Sequence, residues 1–291
     1  MIKGGINLAI ILDGKTTART WRHETQQRVA QLASNAKIIP GLAVVLVGHD
    51  PASELYVRMK ARQAEKVGIH SVIRRLPETA TQDELLAVIA ALNNDLTIDG
   101  ILVQLPLPAQ IDEAAVLLAV APAKDVDGFH PYNLGQLWSG RGELVPATAA
   151  GIMKLLQHYQ IDVAGKNAVV LGRSLIVGRP IAGLLLAADA TVTIVHSHSQ
   201  QVPTLTRNAD IVIAALGQAN YVTADFIKPG AIIVDVGTNR VNGKLIGDVD
   251  YAAVAPIAGY ITPVPGGVGP MTVAALLSQT TDLAEKRAQH G

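Results

Sequence analysis

The sequence predicts an α/β protein of two domains, each a doubly wound parallel sheet flanked by helices, and three observations lead there. Its 291 residues exceed the ~100–200 of a usual domain, so two modest domains are expected. Hydrophobic residues make up 49% and aromatics only 3%, which leaves Val, Ile, Leu and Ala to build the core, as buried parallel strands require. Short apolar runs also alternate with helix-like segments, the order that right-handed strand–helix–strand crossovers produce.

Taken in order, the apolar run at 6–12 follows Lys3 and leads into Asp13-Gly14-Lys15 without a small-residue cleavage pattern, so it reads as a strand rather than a signal peptide. A helix is predicted over 15–34. GLAVVLVG (41–48) is an apolar run bounded by turn residues, a buried strand, and 51–67 is a helix with Pro51 near its start. A helix over 82–93 and the strand DGILVQLP (99–106) complete the first unit. Residues 122–146 carry KDVDGFHPYNLGQ, Trp138 and several glycines, a loop-like border between units. Beyond it come a helix at 148–160, the strand NAVVLG (167–172), a helix at 178–189 and the strand ATVTIV (190–195). The strands ADIVIAAL (209–216) and AIIVDVG (231–237) and a helix over 270–288 follow. No apolar stretch is long enough to span a membrane.

Composition narrows the function. Lys plus Arg equals Asp plus Glu at 24 each, so no overall positive field gathers nucleic acid or an anionic membrane, and small ligands are the expected partners. The absence of cysteine excludes disulfides, Cys-liganded zinc and thiolate nucleophiles and fits a reducing compartment. A soluble cytoplasmic protein is expected.

Four places carry candidate chemistry. ITPVPGGVGPMT (261–272) sets Pro263, Pro265 and Pro270 among Gly266, Gly267 and Gly269, a stiff backbone that can approach a flat ligand closely or simply lead into a helix. After NAVVLG, the turn from Gly172 through Arg173 and Ser174 to Gly178 resembles a dinucleotide-binding turn, although its spacing is GxxxxxG; backbone N–H groups and a helix N-terminus would there meet pyrophosphate oxygens. The next strand ends in Val195-His196-Ser197-His198-Ser199 without the carboxylate that holds NAD ribose hydroxyls. Arg173 can reach a 2′-phosphate, so NADP is favoured; Arg173 and the strand end also fit a solvated surface. In GHDPASELYVRMK (48–60), Tyr56 and Lys60 share one helix face. A buried lysine of lowered pKa can exchange protons near neutrality, and the same spacing suits an amphipathic surface. Gln104 stands beyond a strand end, where open α/β sheets bind ligands. Asp125 and Asp127 lack the further ligands of a calcium loop, so no metal site is expected. A carboxylate there could accept two parallel N–H bonds from a pterin or purine edge, or cap a turn.

Together with VQLPLP, ADIVIAALGQ and KPGAIIVDVGTN, these motifs closely resemble the bifunctional methylenetetrahydrofolate dehydrogenase/methenyltetrahydrofolate cyclohydrolase family, in one order over nearly the whole chain. The resemblance implies a folate-binding catalytic domain of residues 1–146 plus 270–291, a Rossmann-type NADP-binding domain of 147–269, a cleft at their junction, and a homodimer formed through the Rossmann domains. It implies Lys60 as the catalytic residue of the cyclohydrolase, Tyr56 beside the folate, and Gln104, followed by Leu105, bonded to Lys60 and positioning water. Asp127 would hold the pterin, and Pro265, Gly266 and Gly267 would border the folate. Arg173, Ser174 and Ser197 would bind NADP with Thr148 near the nicotinamide. The implied cofactor set extends to Gly172, Val177, Gly178, His196, Ala215, Gly217, Gly237 and Thr238. The family pattern PCTP is replaced here by Pro146-Ala147-Thr148-Ala149. The intact Tyr56, Lys60 and Gln104 favour the bifunctional enzyme over a monofunctional dehydrogenase or a non-catalytic NADP-binding protein.

Overall fold

The computed structural model describes residues 9–290. In chain order, strand β1 is Ile10–Ile11, helix α1 Gly14–Asn35, β2 Gly41–Val47, α2 Pro51–Val67, β3 His70–Leu76 and α3 Gln82–Asn94. Next come β4 Gly100–Val103, α4 Glu113–Ala119, α5 Pro131–Trp138 and α6 Ala147–His158. They are followed by β5 Asn167–Leu171, α7 Gly178–Ala187, β6 Thr191–Val195, α8 Val202–Thr206, β7 Ile211–Ala214 and β8 Ile232–Asp235. A hairpin of β9 Asn239–Val241 and β10 Lys244–Ile246, helix α9 Tyr251–Val254, β11 Tyr260–Ile261 and α10 Val268–His290 complete the chain.

These elements form two compact units: residues up to Ala18 with Thr148–Thr272, and Arg19–Ala147 with residues from Val273 on. In the first, a parallel sheet has the order β1-β11-β8-β7-β5-β6. The chain leaves β5 for the edge strand β6 on one flank and returns to β7 on the other, so strand order reverses between β5 and β7, where such sheets open a crevice. Its core packs Leu171, Val212, Ala214 and Ile233 against Val222 and Val254. In the second unit β2 lies between β3 and β4, all parallel, and every residue of β2 is buried. A strand buried on both faces has no polar alternation, which is why GLAVVLV is continuous in sequence.

Expected and observed divisions differ at the N-terminus. The sequence reading groups all of 1–146 with the folate-binding domain, whereas β1 joins the other unit's sheet because Ile10 and Ile11 pair with Tyr260 and Ile261. Residues 6–8 of that apolar run lie outside the described residues. The predicted strand at 99–106 is also shorter, ending at Val103, because Pro106 and Pro108 have no N–H to continue the ladder.

Candidate active site

In the second unit the site grows from the carboxyl ends of β2 and β4. Asp50 follows β2 and caps α2 by accepting the Ser53 N–H, with Pro51 in the first turn, where its missing N–H costs nothing. The helix so started carries Tyr56 and, one turn later, Lys60. Lys60 Nζ donates to Gln104 Oε1 at 3.1 Å. Gln104 Nε2 donates to the Leu105 carbonyl at 2.7 Å, which fixes the amide's orientation. Tyr56 is 40% exposed.

The two acids of KDVDG have separate tasks. Asp125 is buried, and its carboxylate accepts from Gly128 N at 3.0 Å, His130 N at 2.8 Å and Asn133 Nδ2 at 3.0 Å. It ties the loop. Asp127 makes no hydrogen bond among the described residues, and burial pushes its pKa up to about 6, opposed by the Lys60 charge and reinforced by Asp125. Lys60 keeps some solvent contact as a whole residue, yet desolvation of its ammonium lowers its pKa, with Asp127 pulling the other way. An amine, an amide and an unpaired carboxylate thus act on one another across segments far apart in sequence.

Sequence reasoning missed Gln279. Buried on α10, it donates from Nε2 to the Val126 carbonyl at 2.9 Å and accepts the Val145 N–H at 3.1 Å, so it holds the chain beside Asp127. Its one sequence signal is an amide inside the apolar stretch VAALLSQTTDLA.

In the first unit, a cavity of about 320 Å³ opens at the ends of β5, β6 and β7 and is lined by Gly172, Arg173, Ser174, His196, Ser197 and Ala215 among others. A Cβ on Gly172, whose φ is +116°, would stand 2.2 Å from the Ala215 carbonyl oxygen, so only glycine permits this close strand-to-loop packing. Ser174 Oγ accepts the N–H groups of Val177 and Gly178 at 3.2 and 3.3 Å and closes the turn onto α7. Arg173 is exposed and makes no ion pair among the described residues. Burial first, then the Arg173 charge, lowers the His196 pKa, and His196 Nδ1 accepts the His198 N–H at 3.2 Å.

Several expected cofactor residues stand outside this lining. Val177 and Gly178 open α7, the Gly217 N–H is bonded to Asp248, the Gly237 N–H is bonded to Asp235, and Thr238 is exposed next to it. Thr148 Oγ1 accepts from Thr272 Oγ1 at 3.2 Å near the start of α6. Gln218 and Tyr221 line the cavity and were not anticipated. In the Pro/Gly stretch, Gly266 has φ +113° and its carbonyl accepts the Lys15 N–H at 2.9 Å. Pro265 is exposed and Gly267 buried. Gly269 faces open space, so no steric reason demands glycine there. A larger recess of about 690 Å³, lined by Tyr132, Gln136, Arg141 and Lys286 among others, gathers none of the anticipated residues. No group of three His, Asp or Glu among the described residues could hold a metal ion.

A glycine turn that only the bare backbone can make, opening on a crevice at a strand-order reversal, is the build of a nucleotide-binding α/β unit, and the other unit carries its own cluster of an amine, an amide and a carboxylate. Family models agree on both halves. The tetrahydrofolate dehydrogenase/cyclohydrolase catalytic domain matches residues 12–127, and the NAD(P)-binding domain of the same name matches 146–288. The chain is 56% identical over 275 residues to the bifunctional protein FolD of Streptococcus pneumoniae serotype 4, covering 94% of this chain and 96% of that protein. Among solved structures, the FolD dehydrogenase/cyclohydrolase of Campylobacter jejuni superposes with a TM-score of 0.94 at 47% identity, covering 96% and 99% of the two chains. The Trypanosoma brucei enzyme, solved with NADP and an inhibitor, gives 0.92 at 39% identity over 96% and 98%. The chain belongs to the tetrahydrofolate dehydrogenase/cyclohydrolase family and, carrying both of its domains, is a bifunctional enzyme of that kind.

Proposed function

We propose that Lys60, held by Gln104 and faced by Asp127, performs the proton transfers by which this enzyme turns 5,10-methenyltetrahydrofolate into 10-formyltetrahydrofolate, after oxidising 5,10-methylenetetrahydrofolate in an NADP-dependent step. The observation that carries this reading is the 3.1 Å bond that holds Lys60 Nζ on the Gln104 amide at the carboxyl ends of β2 and β4, supported by desolvation that lowers the Lys60 pKa and favours the neutral amine. Loss of hydride from the methylene carbon leaves a delocalised methenyl cation, a step that needs ring alignment more than acid or base. Water adding to that cation sheds a proton that the Lys60 amine accepts, leaving a neutral carbinolamine; as its C–N bond breaks, the Lys60 ammonium returns that proton to the departing ring nitrogen and the carbinol hydroxyl gives its remaining proton to solvent to become the formyl C=O. Gln104 orients the amine through its bond to Nζ. Asp127, ionised above about pH 6 and without an internal partner, is suited to accept two parallel N–H bonds from the pterin edge. Tyr56 and Leu105 flank these groups in sequence and are assigned to folate contact, as are Pro265, Gly266 and Gly267 on the strength of their fixed turn.

NADP, when bound, supplies the hydride acceptor. The cavity suits it: glycine at 172 keeps backbone groups bare, Ser174 shapes the turn, and Arg173, His196 and Ser197 provide donors without a nearby lining carboxylate. We assign Thr148, Val177, Gly178, Ala215, Gly217, Gly237 and Thr238 to the cofactor site as supporting positions. The same unit is proposed to pair two copies of the chain: β6 is an outer strand bonded on one side only, and Leu186 and Val241 are exposed. No helix among the described residues is long and apolar enough to cross a membrane, and the cytoplasm is the compartment we propose.

The test is Lys60→Met. Cyclohydrolase turnover should fall by about 10²-fold or more while dehydrogenase activity, followed as methenyl formation, stays measurable. Hydrolysis at the wild-type rate in the purified variant would remove Lys60 from the mechanism.

A further inference from the structure

The wall of the cofactor cavity formed by the loop after β7 is held by a residue that never reaches the cavity. Leu216, Gly217 and Gln218 follow one another in that loop, and all three backbone N–H groups point to the Asp248 carboxylate: 2.6 and 3.0 Å to Oδ2, 2.8 Å to Oδ1. Asn239 Nδ2 adds a fourth bond to Oδ1 at 2.9 Å. Asp248 is fully buried, so these charge-assisted bonds are neither shared with water nor screened by it. The main chain of the same segment holds the far end of the wall, since Asn220 N donates to the Gly247 carbonyl at 3.1 Å and Val222 N to the Asp248 carbonyl at 2.9 Å. Leu216, Gln218 and Tyr221 all line the cavity.

A second buried carboxylate fixes the first. Asp235 accepts from Asp248 N at 2.9 Å, Val249 N at 3.0 Å and Gly237 N at 2.9 Å. A Cβ at position 247 would stand 1.8 Å from Asp235 Oδ2, so the segment passes this carboxylate only as glycine. Consecutive N–H groups converging on an anion make the kind of nest that elsewhere binds phosphate. Here Asp248 fills it from inside, which leaves anion recognition to the turn at 172–178.

We propose that Asp248 is a positioning residue for NADP: it fixes the 216–222 wall of the cofactor cavity in its binding shape before the cofactor arrives, with Asp235 holding Asp248 in place. This rests on the reading of that cavity as the NADP site. Asp248→Asn keeps the size but sets an amide donor against backbone donors. Calorimetry with NADP should show Kd raised by about 10- to 100-fold, the loss expected when charged hydrogen bonds are removed. Cyclohydrolase turnover, which draws on Lys60 and Gln104, should remain within about twofold of wild type, the pattern of a lost binding contribution rather than lost chemistry. In the wild-type enzyme without cofactor, hydrogen exchange at Leu216, Gly217 and Gln218 should already be slow, and in Asn239→Ala it should quicken alongside a smaller rise in Kd. These two readouts decide the matter if Asp248→Asn does not fold. An unchanged Kd in Asp248→Asn, or solvent-like exchange of the three amides in the wild type, overturns the proposal. Absence of NADP binding to the wild type would instead overturn the assignment of the cavity.

Discussion

Asp125 and Asp127 stand two residues apart and meet opposite fates. The first spends its oxygens on three internal donors, and the second is left desolvated with its pKa pushed up to about 6. Below the ordinary carboxyl pKa of about 4 Asp127 is protonated whether the chain is folded or not. Between there and about pH 6 the folded protein keeps a proton that the unfolded chain has released, so stability falls as pH rises across that window and the penalty is constant above it. Asp127→Asn removes an ionisation that the fold resists. Its melting temperature should therefore exceed that of the wild type by a margin that opens between pH 4.5 and 6 and stays level to pH 8, while folate binding weakens. Melts followed by circular dichroism check this, and a margin independent of pH would mean that Asp127 ionises freely. Lys60, Gln104, Asp125 and Asp127 all stood out in the sequence, and only the family resemblance set Asp127 apart from Asp125. Nothing in the string KDVDG says which carboxylate the backbone will occupy, and Lys60 and Gln104 meet only once β2 and β4 are paired.

Helix α10 is tied beside the second unit's sheet by an ion pair at its carboxyl end. Arg287 Nε and Nη2 donate to the two oxygens of Asp99 at 2.8 and 3.1 Å, and Asp99 Oδ2 also accepts the Gly41 N–H at 2.8 Å. The Asp99 side chain is 3% exposed against 35% for Arg287, so truncating the arginine strands a buried charge. Arg287→Ala should cost about 2–3 kcal/mol, the lower part of the range for broken buried pairs, read from urea unfolding; a change below about 0.5 kcal/mol would class the pair with surface pairs. Elements with two buried faces or firm caps were the ones visible in sequence, as β2, β5, β7, β8 and α2 attest. Strand β3 was not, because it lies at a sheet edge and carries His70, Arg74 and Arg75 where an inner strand would be apolar. Helix α5 hid inside a segment read as loop, since its capping residue is His130, accepting the Tyr132 N–H through its ring, rather than one of the usual small polar residues.

The molecule as a whole divides its tasks between two units, and its response to cofactor should show it. NADP at about one hundred times its Kd stabilises the form that binds it by about 2.7 kcal/mol, and NAD at the same concentration should give a smaller rise in melting temperature because Arg173 gains nothing from a bare ribose. Scanning calorimetry with each nucleotide checks the preference, and equal rises would place the phosphate outside the reach of Arg173. The two-unit architecture was visible in the alternation of apolar runs and helices, yet the place of β1 was not, since a two-residue strand carries no information about a partner at the other end of the chain. That partner is β11, with Ile10 beside Tyr260. Synthesis has therefore passed Ile261 before β1 can find its neighbour, and until then the growing chain carries an unfinished sheet border that other nascent polypeptides can reach.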